Sequence, residues 1–285
     1  MIPLRDHLMR LCGVAEELTM RGGSEDWRAV SESLHLAAAL KDLSADTDVN
    51  GDSLMCGTAA DFDAAHSEVA AKYLAGVVVF NLVWGAYEWA VEIASRPLAL
   101  KQPRGARGRD LICHVFGDKH FPHLRGAVLD ALDLSSKRVL DLGSREMRRM
   151  LVAGSLAGIG AEYLRGFRNA LAHGTLEKPM PEDWGEGSDY KADDDPALRQ
   201  FQVNTRLTLL LMQILMRFAS AGSEELTASF DEPQSAALVL TQLHCPFETS
   251  EGAALPLGDA PLVQWRDHHF YRQVSLGKIS LDSKY

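Results

Sequence analysis

From Tyr73 to Tyr87 the chain carries no charged residue, and Val77-Val78-Val79-Phe80 with Leu82-Val83-Trp84 leaves no polar face. A segment apolar on every side must be covered, by the rest of a helical core or by lipid. A helical membrane span needs about 20 apolar residues. Here Lys72 and Glu88 close the run and Asn81 interrupts it, so the expectation is a fully buried central helix from roughly Ala64 to Ala94 and no membrane span. Arg96-Pro97 ends it, because proline disfavours helix at the residue before it. Elsewhere Leu and Ala recur at helical spacings and strand-type alternation is scarce, which makes the expected class all-α.

Around that helix the pattern predicts two amphipathic helices, Pro3 to Met20 and Ser24 to Leu40, within an N-terminal extension over 1–57. The bundle, 58–222, continues through a Gly/Pro-containing loop to Arg109. Helices follow from Leu124 to Leu134, from Ser144 to about Ala172, and from Pro196 to Ala221. The last, with Leu207, Leu209, Leu210, Leu211, Ile214 and Leu215, is apolar on more than one side and is a candidate dimer seam as well as core. Residues 223–285 read as a mixed extension whose Leu262-Val263-Gln264-Trp265 and Phe270-Tyr271 dock on the bundle.

Cys12, Cys56, Cys113 and Cys245 are scattered with no C-x-x-C pair, as suits reduced thiols better than a disulfide framework or a zinc site. The stretch Met1 to Arg10 holds Arg5, Asp6, His7 and Arg10 and is unlike a signal peptide, so a cytoplasmic protein is expected. Net charge is −10 over 285 residues, which argues against nucleic-acid binding by the whole surface. Its distribution is uneven. Between Pro97 and Thr175 thirteen Lys and Arg face seven Asp and Glu, and Arg104, Arg107, Arg109, Arg148, Arg149 and Arg165 are candidates to grip a phosphate backbone. An acidic loop follows, with Glu177, Glu182, Asp183, Glu186, Asp189, Asp193, Asp194 and Asp195.

The most compact chemistry lies in Arg168-Asn169-Ala170-Leu171-Ala172-His173-Gly174. Leu164, Phe167, Leu171 and Ala172 supply a helical apolar face, and Gly174 is a normal helix stop. Asn169 and His173 then sit one turn apart, with Arg168 roughly 140° from His173 at about 100° per residue. Arginine presents a permanent forked cation to phosphoryl oxygens, and histidine moves protons near neutrality. Together they suit RNA cleavage, where the 2′-hydroxyl is the nucleophile and the protein need only move a proton and stabilise developing charge. No metal or cofactor is required by that chemistry. Asn81 and Glu88, two turns apart on the core helix, are candidates to orient Arg168 or His173 if the two helices pack together.

Arg168-Asn169-x-x-x-His173-Gly174 resembles the signature of the HEPN superfamily, and the likeness covers roughly residues 60 to 222. Many members are metal-independent endoribonucleases of toxin–antitoxin and antiviral-defence systems. The resemblance implies that Arg168 and His173 are catalytic, that Asn169 orients them, and that two copies meet in a homodimer to form one composite site. It also implies RNA as substrate and an antitoxin or defence-system partner protein. A catalytically silent binding or scaffold subunit is the alternative within the same resemblance.

Three further signals are weaker. Asp46-x-Asp48-x-Asn50-Gly51-Asp52 opens like a calcium loop, but Gly57 stands where the bidentate glutamate belongs. Val139-Leu140-Asp141-Leu142-Gly143-Ser144 is similar to the start of a methyltransferase nucleotide site, yet Arg145 and Glu146 replace the further glycines. Cys113, His114, His120 and His123 lack a second well-spaced ligand pair and read as loop and cap residues.

Overall fold

The computed structural model describes residues 1–22, 25–48, 57–98, 104–116, 121–135, 155–181, 195–220, 225–226 and 234–246. Helix accounts for 79% of the described residues, which are all-α as expected. The helices are α1 (Leu4–Gly22), α2 (Arg28–Ala39), α3 (Gly57–Ser95), α4 (Arg104–Phe116), α5 (Leu124–Asp133), α6 (Leu156–Ala172), α7 (Pro196–Ala219) and α8 (Ala236–Gln242). Single 3₁₀ turns at Glu25–Trp27 and Arg96–Leu98 precede α2 and follow α3. A two-residue antiparallel ladder pairs Glu225 with Ser235 and Leu226 with Gln234.

The central helix is α7, not α3. From Val203 to Met216 every residue of α7 is buried, and α3, α4, α5, α6, α1 and α8 all pack on it. Several of its buried polar residues find partners within the chain. Thr205 and Thr208 donate to the carbonyls of Phe201 and Asn204, four residues back, each at 2.7 Å. Arg206 donates to the Ile2 carbonyl at 2.7 Å, and Gln213 bridges His7 Nε2 and the Leu240 carbonyl, again at 2.7 Å each. Buried polar groups are stable only with such partners. The expected dimer seam on α7 is thereby corrected, since the helix is covered within one chain.

Helix α3 is longer and wetter than its sequence suggested. It packs on α2, α4 and α7 but leaves Asn81 and Glu88 exposed, with Leu74, Val78 and Trp89 also open to solvent. Gly57–Leu98 is long and apolar enough to cross a membrane, and a third of its most apolar window is buried inside the protein, so the length argument against a span does not hold. Its inner face meets α6 and α7 through three rings, Phe80, Phe167 and Phe201, with Phe80 and Phe167 edge-to-face at 4.9 Å. Each such aromatic pair adds about 0.5–1.5 kcal/mol beyond simple burial.

Arg104, Arg107 and Arg109, expected in a loop, belong to α4. The glycine that suggested a loop serves close packing instead. A Cβ on Gly108 would lie 2.8 Å from the Tyr87 hydroxyl and 3.2 Å from Val91 Cγ2, so only glycine lets α4 approach α3 this closely. Helices α1 and α2 share one core with the bundle, through Leu8, Leu11, Val30 and Leu34, and α8 joins it through Val239 and Leu240. Arg148, Arg149, Val139 to Glu146, His120, Glu182 to Asp194 and the docking residues Leu262 to Tyr271 lie outside the described residues.

Candidate functional site

Helix α6 begins at Ser155, whose hydroxyl accepts from the Gly158 N–H at 3.2 Å as an N-cap. Ile159, Tyr163, Leu164, Phe167 and Ala170 bury its inner face. Tyr163 is 1% exposed, and burial pushes its phenol up to about 12. The helix closes with a Schellman turn: Gly174 N–H donates to Leu171 O at 3.1 Å and Thr175 N–H to Ala170 O at 2.9 Å. Gly174 adopts φ of 64°, the left-handed region where a side chain is strained. This turn fixes His173 as the C-cap residue, with its ring in solvent.

Phe167, locked between Phe80 and Phe201, sets the rotation of the final turn and leaves Arg168 and Asn169 half-buried at the edge of the body. Among the described residues, no hydrogen bond or ion pair engages the Arg168, Asn169 or His173 side chain. Ala172, expected on the apolar face, is exposed beside them.

Arg107, Arg109 and Arg165, expected in the phosphate grip, are each engaged by a carboxylate. Arg109 is 9% exposed; it donates to Glu162 Oε2 at 3.2 Å and to Asp110 Oδ1 at 2.8 Å. Arg165 donates to both oxygens of Glu162, at 2.5 and 3.1 Å, and Arg107 donates to Glu92 at 2.6 Å. A buried arginine needs its charge and donors matched by such partners, so Arg109 acts as a strut between α4 and α6. Arg165 keeps about a third of its side chain exposed.

Glu88 and Asn81, the polar groups expected to support the motif, are both exposed on α3 with no described partner on α6. The buried carboxylate on the motif's own helix is Glu162. It precedes Asn169 by seven residues and His173 by eleven, so the three lie within roughly 20° of one line along α6. Arg165 lies roughly 60° off that line, between it and Arg168. The signal was present as the i,i+3 spacing of Glu162 and Arg165. Its partner Arg109, 53 residues distant, was not visible.

This arrangement offers a permanent cation, an amide and an imidazole at one accessible helix end, with the arginine–glutamate cluster roughly two to three turns earlier on the same helix. It can receive a phosphoryl group at Arg168 and exchange a proton at His173. Asp195, expected in the acidic loop, instead caps α7 by accepting from the Ala197 and Leu198 N–H groups at 2.7 and 3.3 Å. No family model, curated protein or solved structure matches this chain.

Proposed function

We propose that the chain is a metal-independent endoribonuclease of the HEPN type, of the kind found in toxin and antiviral-defence systems. One observation carries the reading. Of the described basic side chains around the motif, Arg107, Arg109 and Arg165 are held by carboxylates, while Arg168 and His173 have no described partner and face outward at the end of α6. Unengaged cation and imidazole at a fixed helix end are what a phosphoryl substrate needs.

In this reading His173 takes a proton from the ribose 2′-hydroxyl or gives one to the leaving 5′-oxygen. Arg168 neutralises the charge that grows on the non-bridging phosphoryl oxygens, and Asn169 orients the substrate beside His173. The 2′-oxygen attacks the adjacent phosphorus, the bond to the 5′-oxygen breaks, and the products carry a 2′,3′-cyclic phosphate and a 5′-hydroxyl. Because Arg168 and His173 diverge by roughly 140° on one helix, a site built from two copies across a two-fold axis brings opposite sets together more readily than one copy does. The stripe of Leu74, Val78 and Trp89 on α3 is the apolar surface a second copy would cover.

A silent binding or scaffold subunit is the second reading, favoured by the withdrawal of Arg107 and Arg109 from the surface that would hold a polynucleotide. An RNA and its all-DNA counterpart of the same sequence separate the two. The nuclease cuts the RNA to cyclic-phosphate ends and leaves the DNA intact. Binding of RNA without cleavage supports the scaffold and contradicts the nuclease.

A further inference from the structure

A second cluster of reactive side chains lies away from the motif. His123, His244 and Cys245 each bring one ligand atom to within 4.8 Å of the others, although 121 residues separate the first two in the chain. Donor atoms sharing one tetrahedral zinc are ~3.4–3.8 Å apart for bond lengths of about 2.0–2.3 Å. Closing the set needs the donor atoms to approach one another by up to about 1.4 Å through side-chain rotation.

His244 is the informative member. Its ring is fully buried, stacked on Phe121 at 5.4 Å and edge-on to His123 at 5.5 Å. Nε2 lies 3.1 Å from the Pro122 carbonyl, which accepts its proton, so the lone pair belongs to Nδ1. Nδ1 is buried and has no hydrogen-bond partner. An orphaned imidazole nitrogen costs about 1–3 kcal/mol in a core unless something occupies its lone pair. Metal-bound histidines are held this way, one nitrogen on the ion and the other donating to a backbone carbonyl.

His123 is placed to match. It occupies the N-cap position of α5 but makes no capping hydrogen bond, and its φ of 57° is the single positive value among the described non-glycine residues. The backbone thus turns the imidazole towards His244 and away from the helix. Arg10 fixes the third ligand's loop by donating to the carbonyls of Leu243 and Cys245, each at 3.0 Å. Burial raises the Cys245 thiol, and the Met1 amino group and Arg10 oppose that rise. The ring of His7, 5.8 Å from His244, packs behind the cluster.

We propose that His123, His244 and Cys245 bind a divalent zinc-class ion through two imidazole nitrogens and one thiolate. The fourth position faces outward, because His123 is exposed and Cys245 half-buried, and is left to water or an exogenous ligand. Binding releases the thiol proton and pins the turn after α8 to the start of α5. The site is independent of the nuclease reading. The scattered cysteines gave no hint of it, because the ligands converge only through the tertiary fold.

The test uses the full chain, tag removed and stripped with chelator, titrated with cobalt(II) alone and then with zinc(II). Expected are one cobalt per chain with a thiolate-to-cobalt charge-transfer band, displacement by zinc, and an unchanged titration in Cys113→Ser. The band should vanish in Cys245→Ser. Affinity should fall by more than about tenfold in exposed His123→Ala, since even loss of an outer-shell partner costs about 10–100-fold. Zinc should raise the unfolding temperature of the wild type and of Cys113→Ser but not of Cys245→Ser. Absence of the band in the wild type, or its survival in Cys245→Ser, overturns the site whatever the chain does to RNA.

Discussion

Arg109 of α4 and Glu162 of α6 form a buried ion pair, Nη1 to Oε2 at 3.2 Å, with side chains 9% and 6% exposed. Arg165 closes the other side of the carboxylate. Removing one member leaves an uncompensated charge inside the protein. Glu162→Ala should therefore destabilise the fold by about 3–5 kcal/mol. Replacing both partners by apolar residues of similar volume, as in Arg109→Met with Glu162→Met, should recover most of that loss. Urea unfolding of the single and double variants checks it; equal losses in both would mean that the ion pair itself, and not an uncompensated buried charge, accounts for the loss.

Close helix contact predicts a contrast between two glycines. Gly108→Ala pushes a methyl group to 2.8 Å from the Tyr87 hydroxyl and should cost about 1–3 kcal/mol. Gly85→Ala, also inside a helix but with nothing within 4 Å, should gain up to about 1 kcal/mol. Thermal unfolding should move in opposite directions. A neutral Gly108→Ala would mean that α3 and α4 do not meet as described.

Acid should weaken the fold before the carboxylates titrate. Burial holds His244 down to about 4, and burial with the nearby His244 holds His7 well below its ordinary value. The unfolded chain titrates both near 6.5. The stabilisation is complete above about pH 6.5 and is lost as pH falls towards the folded values, because protons then favour the unfolded chain. His244 alone should cost about 2 kcal/mol between about pH 7 and pH 5, with His7 adding in the same direction. Urea midpoints measured in chelator test this. A flat profile across that window, or one that rises, contradicts neutral burial of the two rings.

These relationships explain what could be read from the sequence. Helical spacing revealed α1, α2, α5, α6 and α7 because it needs only local periodicity. It did not rank α3 against α7, since both look apolar all round. The difference lies in whether Asn81 or Gln213 has a partner, and His7, the partner of Gln213, is 206 residues away. The Arg168–His173 turn was legible, being local and closed by Gly174. Its setting was not. Glu88 draws attention as an isolated acid in an apolar run, whereas Glu162, an acid beside arginines, looks like a solvated pair until Arg109 is found buried against it. Proline and glycine near Arg104 imitated a loop for the same reason: Gly108 is explained only by the neighbouring Tyr87.

Cleavage of RNA in EDTA by the purified wild type, Arg168→Ala and His173→Ala tests the central claim most directly. The two groups lie at the outer end of α6 without described partners, so both substitutions should leave the unfolding midpoint unchanged while lowering the rate by about 10²-fold or more. Wild-type products should end in 2′,3′-cyclic phosphate. Cleavage by His173→Ala at the wild-type rate, or no cleavage by the folded wild type, would contradict it.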